Sequence, residues 1–111
     1  MPLENKRMMM AFEHCYRKVN KAEIDPIIPT LTISQLEPVL GMVAKSRARY
    51  LKALFDLGGS SESTVLPNNE EVSRLNELRT HYEELLAGAQ ALQTAIEKGY
   101  VEVDVPRAGA A

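Results

Sequence analysis

Apolar residues recur at helical spacing along most of the chain. Between Asn68 and Lys98 they fall at Leu75, Leu78, Tyr82, Leu85, Ala89, Leu92 and Ile96, in alternating steps of 3 and 4. A heptad sustained that long puts all seven on one face of an α-helix. The pattern predicts a helix over 69–98, capped by Asn68 with Glu71 at the third position and stopped by Gly99.

A second stripe runs through Met8, Phe12, Cys15, Val19 and Ala22, widened by Met9 and Tyr16. It predicts a helix over about 2–21. Three consecutive methionines, Met8 to Met10, cannot share one face, so at least one is expected outside the stripe. Its flexible thioether is either a gap-filler in the core, the favoured expectation, or a contact for an adaptable partner.

The third helix is expected over 38–57. Two capping boxes overlap ahead of it, Thr32 with Gln35 and Ser34 with Glu37. A helix interior rejects proline and its first turn accepts it, so Pro38 predicts a loose turn over 34–37 and a regular helix after it. Gly58-Gly59 is expected to end that helix. Its heptad reads Leu36, Leu40, Val43, Arg47, Tyr50, Leu54 and Leu57, which places an arginine in the seam.

Two linkers and a tail complete the chain. Pro26 and Pro29 push their preceding residues out of the α region, so Glu23–Leu31 is expected as an extended connector, pinned by Ile24, Ile27 and Ile28. Gly58–Pro67 is polar and flexible in composition. Val101, Val103 and Val105 alternate with Glu102 and Asp104, the period of a half-buried strand whose partner is the connector or another copy of the chain. Residues 107–111 are expected to be a disordered tail.

The expected fold class is therefore all-α: an N-terminal helix, a long antiparallel coiled-coil-like hairpin, an extended Pro/Ile connector and a short strand-like tail. Residues 1–106 are expected to form a single helical domain. A short loop makes the last two helices antiparallel. The register that sets Leu57 near Val72 places Leu40 opposite Ala89, Val43 near Leu85 and Leu86, and Arg47 beside Tyr82. It also faces Gly41 with Gly88, a pair that would let the backbones approach. Arg47 is expected to reach past Tyr82 to Glu83 or Glu84.

Composition agrees, with twelve alanines and only 5% aromatic residues in 111. Charge is uneven: residues 1–57 carry nine Lys/Arg against six Asp/Glu, and residues 58–111 carry four against nine. A basic segment folding against an acidic one accounts for this. The lone Cys15 excludes an internal disulfide, and no run has signal-peptide or membrane-spanning character, so a cytoplasmic protein is expected.

Little in the chain points to catalysis, a cofactor or a metal. Glu77, His81 and Glu84 share a helix face, but bundle metal sites need such groups from several helices. Neither a nucleophile–base pair nor a phosphate loop is present, and no enzyme is expected. Interaction chemistry is better represented. Apolar positions left over by the heptads, Met9, Met10, Met42, Phe55 and Leu86, are candidates for binding a partner, as is a small-residue stripe at Ala87, Ala91 and Ala95. Lys45, Arg49 and Lys52 make a basic helical stripe that could grip a phosphate backbone. The expected function is a helix-packing interaction protein, self-associating as a homodimer or binding another protein. The alternative is a nucleic-acid-associated regulator using the basic stripe.

Overall fold

A computed structural model describes residues 2–60 and 66–105. They form α1 (Leu3–Ile24), β1 (Leu31–Thr32), α2 (Ile33–Ser60), α3 (Asn69–Glu97) and β2 (Val103–Asp104). The protein is all-α, with the predicted hairpin of α2 and α3. The tail expected to be disordered, 107–111, lies outside the described residues, as does the middle of the loop between α2 and α3. The chain divides into two compact units, one of Met1–Leu36 with Leu92–Ala111 and one of Glu37–Ala91.

Capping sets where the helices begin. Asn68 Oδ1 accepts the Glu71 amide at 2.8 Å, and Glu71 Oε1 accepts the Asn68 amide at 3.0 Å. This is the predicted reciprocal box. The same box forms between Thr32 and Gln35, at 3.3 and 2.9 Å, and it overrides the expectation from Pro38. Helix α2 therefore starts at Ile33 and carries Pro38 inside its second turn. It loses one backbone bond there, whereas the capping box satisfies two amides that the predicted loose turn would have left without a partner.

Helix ends differ from expectation for related reasons. Helix α1 runs three residues past Lys21, to Ile24. Asp25 stays in the α region (φ −50°, ψ −42°) although Pro26 comes next, and its amide donates to Lys21 O at 2.9 Å. The Ile27 and Ile28 amides both return to Ile24 O. The expected extended connector is thus a turn at its start. Helix α2 passes through Gly58-Gly59 to Ser60, since glycine also accepts helical angles.

In the unit holding both α1 and the end of α3, the organising feature is the C-terminus of α3. Gly99 has φ +74°, its amide donates to Ile96 O at 3.2 Å, and the Tyr100 amide donates to Ala95 O at 2.8 Å. These are the two bonds of a Schellman cap. Arg17 Nε of α1 donates to Lys98 O at 2.9 Å, satisfying a further carbonyl of the helix end. Tyr100 stacks on Tyr16 with ring centroids 5.8 Å apart. Lys21 bridges Asp25, at 3.4 Å, and Glu102, and the hydrogen bond to Glu102 holds its ammonium above the usual lysine range.

The chain then buries Val101, which is 5% exposed, and pairs β2 with β1 in parallel, Leu31 with Val103 and Thr32 with Asp104. The end of the connector is therefore the strand partner. The tail's valine alternation does not make a half-buried strand, because Val103 and Val105 are exposed and only Val101 is covered.

Replacing Gly99 with alanine is expected to cost about 1–2 kcal/mol, because a Cβ is strained at positive φ. The new methyl also meets Arg17 Cδ at 3.4 Å. Denaturant titration measures the loss, and a Gly99→Ala protein as stable as the parent would contradict the geometry.

Candidate functional site in the hairpin groove

The second unit is a two-helix hairpin with a thin seam. On α3 every predicted seam residue of this unit, from Leu75 to Ala89, is half-buried, as are Leu92 and Ile96 in the other unit. On α2 the covered side chains at helical spacing are Leu36, Val39, Val43, Ser46, Tyr50, Ala53 and Leu57, with Gly41 half-buried beside them. Only Val43, 6% exposed, is buried. The predicted seam shares four of these but had Leu40, Arg47 and Leu54 in place of Val39, Ser46 and Ala53. Val39, Ser46 and Ala53 are half-buried, while Leu40, Arg47 and Leu54 are exposed. Consecutive residues stand about 100° apart, so exchanging alternate positions by one turns the working face of α2 by about half that step.

One pair of the predicted register is present. Arg47 stands beside Tyr82: its Nε donates to the hydroxyl at 3.1 Å and its guanidinium lies 5.2 Å from the ring centroid. Tyr50 stacks on the same ring at 6.2 Å. Arg47 does not reach an acid, contrary to expectation. It sits at the edge of the seam and ends on the tyrosine hydroxyl, while Glu83 lies 3.9 Å from Arg79 on its own helix. Gly41 and Gly88 likewise do not draw the backbones together, since nothing lies within 4 Å of where either Cβ would be.

The turned face of α2 opens a groove of about 430 Å³ along one side of the hairpin. Met42, Leu78 and Leu85 make its apolar floor. Lys45 and Arg49 stand on the α2 side, and His81 and Glu84 on the α3 side. The basic stripe is thus partly assembled here: Lys45 and Arg49 line the groove, whereas Lys52 is engaged with Asp56 on its own helix at 2.8 Å. Of the apolar candidates, Met42 joins the groove. Phe55 is 80% exposed on α2, and Leu86 is half-buried. Met9 and Met10 are exposed on α1, in the other unit.

That other unit presents a second apolar surface that the heptads did not anticipate as open. The whole predicted stripe of α1 is exposed, including Phe12 at 56%, with Met8, Cys15 and Val19. The contacts of α1 are made by Tyr16, at the edge of that stripe, and by Arg17 and Lys21 outside it. The long polar residues at 17 and 21, aimed at a helix end and an acidic tail, were the signal in the sequence for this orientation.

Among the described residues, no group of three or more His, Cys, Asp or Glu side chains is placed to hold a metal ion, and no helix is long and apolar enough to cross a membrane. Comparison with protein-family models, with curated proteins and with solved structures returned no match.

Proposed function

We propose that this protein is an interaction module that works by helix packing and assembles with itself. The supporting observation is the imbalance between apolar side chains and burial. Among the described residues only Val43 and Val101 are buried, while Met8, Phe12 and Val19 on α1 and Leu40, Leu51, Leu54 and Phe55 on α2 remain at the surface. Contiguous apolar faces of this kind mark interaction sites. Small helical chains commonly complete their core by association.

A nucleic-acid role for Lys45, Arg49 and Lys52 has less support. Glu84 shares their groove and Asp56 already engages Lys52, so the stripe offers mixed rather than uniform charge to a phosphate backbone.

Light scattering during size exclusion, with absorbance read at 260 nm, tests both readings. A clean multiple of 12.3 kDa is the expected result. A monomer at every concentration would overturn self-assembly. A 260 nm excess lost at high salt would support the nucleic-acid reading.

A further inference from the structure

We propose that the groove face of the α2–α3 hairpin is a docking surface for a second copy of this chain, the two hairpins closing into an antiparallel four-helix bundle with α2 of each laid along α3 of the other. The inference rests on the self-assembly proposed above and specifies its face and its pairing.

The groove carries opposite charge on its two sides at Lys45 and Glu84, and the same helix faces continue beyond it with Lys52 and Glu77. On α2, Lys45 and Lys52 are seven residues apart and so hold the same heptad position. On α3, Glu77 and Glu84 do the same. Tyr82 meets both Arg47 and Tyr50 of α2, which sets residue n of α2 within about one turn of residue 129 − n of α3, and the pairing takes that register. Lys45 is therefore level with Glu84, and Lys52 with Glu77. Among the described residues neither Lys45 nor Glu84 has an ion-pair partner, whereas Lys52 is bridged to Asp56 at 2.8 Å and Glu77 to Arg74 at 3.3 Å on their own helices, pairs that would exchange partners on docking.

A twofold axis parallel to the helices turns the hairpin onto its own groove and leaves every residue at its level. Helix α2 of one copy then lies antiparallel on α3 of the other in the register already present within the chain. Such an interface is isologous, so each complementary pair occurs twice. Lys45 meets Glu84 of the second copy, and Lys52 meets Glu77 of the second copy.

Neighbouring levels agree to within one residue. Asp56 comes beside Arg74 of the second copy. Met42 comes beside Gly88, whose missing side chain leaves open space on α3. A glycine inside a helix weakens it, and a methionine seated there gives the position a use. Met42, Leu78 and Leu85 of both copies would fill the centre.

Two variants test the pairing without removing apolar surface. In Lys45→Glu/Lys52→Glu both rims are acidic, and in Glu77→Lys/Glu84→Lys both are basic. Each alone is expected to associate about 100-fold more weakly than the parent at low salt, from like charges brought together across the interface. Far-UV circular dichroism should show their helix content intact. Mixed in equal amounts, they are expected to form a heterodimer of parental affinity, because every acidic rim then meets a basic one.

Several results would overturn the pairing. If both variants stay as associated as the parent, the face is wrong and self-assembly uses another surface. Loss in the first variant alone, with no rescue on mixing, would assign the lysines to an anionic partner. A monomeric parent would remove the self-assembly reading and this inference together. Unfolding of either variant is answered by the single changes Lys45→Glu and Glu84→Lys, for which the same rescue on mixing is required.

Discussion

An aspartate at position 43 is expected to unfold the α2–α3 hairpin. Val43, at 6% exposure, is the only buried residue among the described residues of that unit, and it lies on the face of α2 that carries the half-buried seam. Burying a valine contributes about 1.5–3 kcal/mol. A carboxylate there gives that up and must also be desolvated without a partner, so the expected loss is about 4 kcal/mol or more. A domain of this size holds only about 5–15 kcal/mol in total, and among the unit's described residues no second side chain is buried to compensate. Urea titration followed by far-UV circular dichroism should show helix lost without denaturant or the midpoint sharply lowered. Val43→Asp within about 1 kcal/mol of the parent would mean that the seam does not hold the hairpin.

Val101→Asp should produce a loss of similar size but confined to the other unit. Val101 is 5% exposed, and the residues beyond it are held by the two-residue pairing of β2 with β1 and by Lys21 on Glu102. With the anchor charged, the segment after Gly99 is expected to detach. Hydrogen exchange reads this directly. The Leu31 amide, which donates to Glu102 O at 2.8 Å, should lose its protection. Amides in the middle of α2 and α3 should keep theirs, because local openings follow cooperative units. Equal loss of protection throughout would show that the two units do not open separately.

The sequence made α3 legible because one strong signal had no competitor. Its heptad, its capping box and its glycine all pointed the same way, and each is present in the fold. Helix α2 carried two overlapping heptads, one through leucines and one through small residues. Periodicity alone favoured the larger side chains. Packing favoured the smaller, which are half-buried where the larger are exposed. That choice was worth more than a boundary error: it decides whether Arg47 or Arg49 faces the groove, and so whether a groove is seen at all.

The helix starts and ends that were missed reflect similar competitions. At Pro38 a satisfied cap outweighed a lost backbone bond. At Asp25 the hydrogen bond to Lys21 outweighed the steric preference set by Pro26. The tail was legible in period but not in extent, since alternation describes a face and says nothing of how long a partner strand is. For the candidate site, Lys45, Arg49 and Met42 were identified as surface residues of α2. Their convergence with His81 and Glu84 needed the rotation of α2 about its axis, which no single-helix pattern contains.

The Arg17 bond to Lys98 joins residues 81 positions apart, and the two closing contacts beside it, Tyr16 with Tyr100 and Lys21 with Glu102, span similar lengths. Such contacts must wait for loop closure, so the hairpin of α2 and α3, built from nearer neighbours, should form first and the unit around α1 last. During synthesis at about 5–20 residues per second, α1 would leave the ribosome roughly 4–16 s before the segment that receives it has been made. Throughout that interval Arg17 lacks the Lys98 carbonyl and Lys21 has only Asp25 to hold, and α1 must persist on its own helical preference or be shielded by something else.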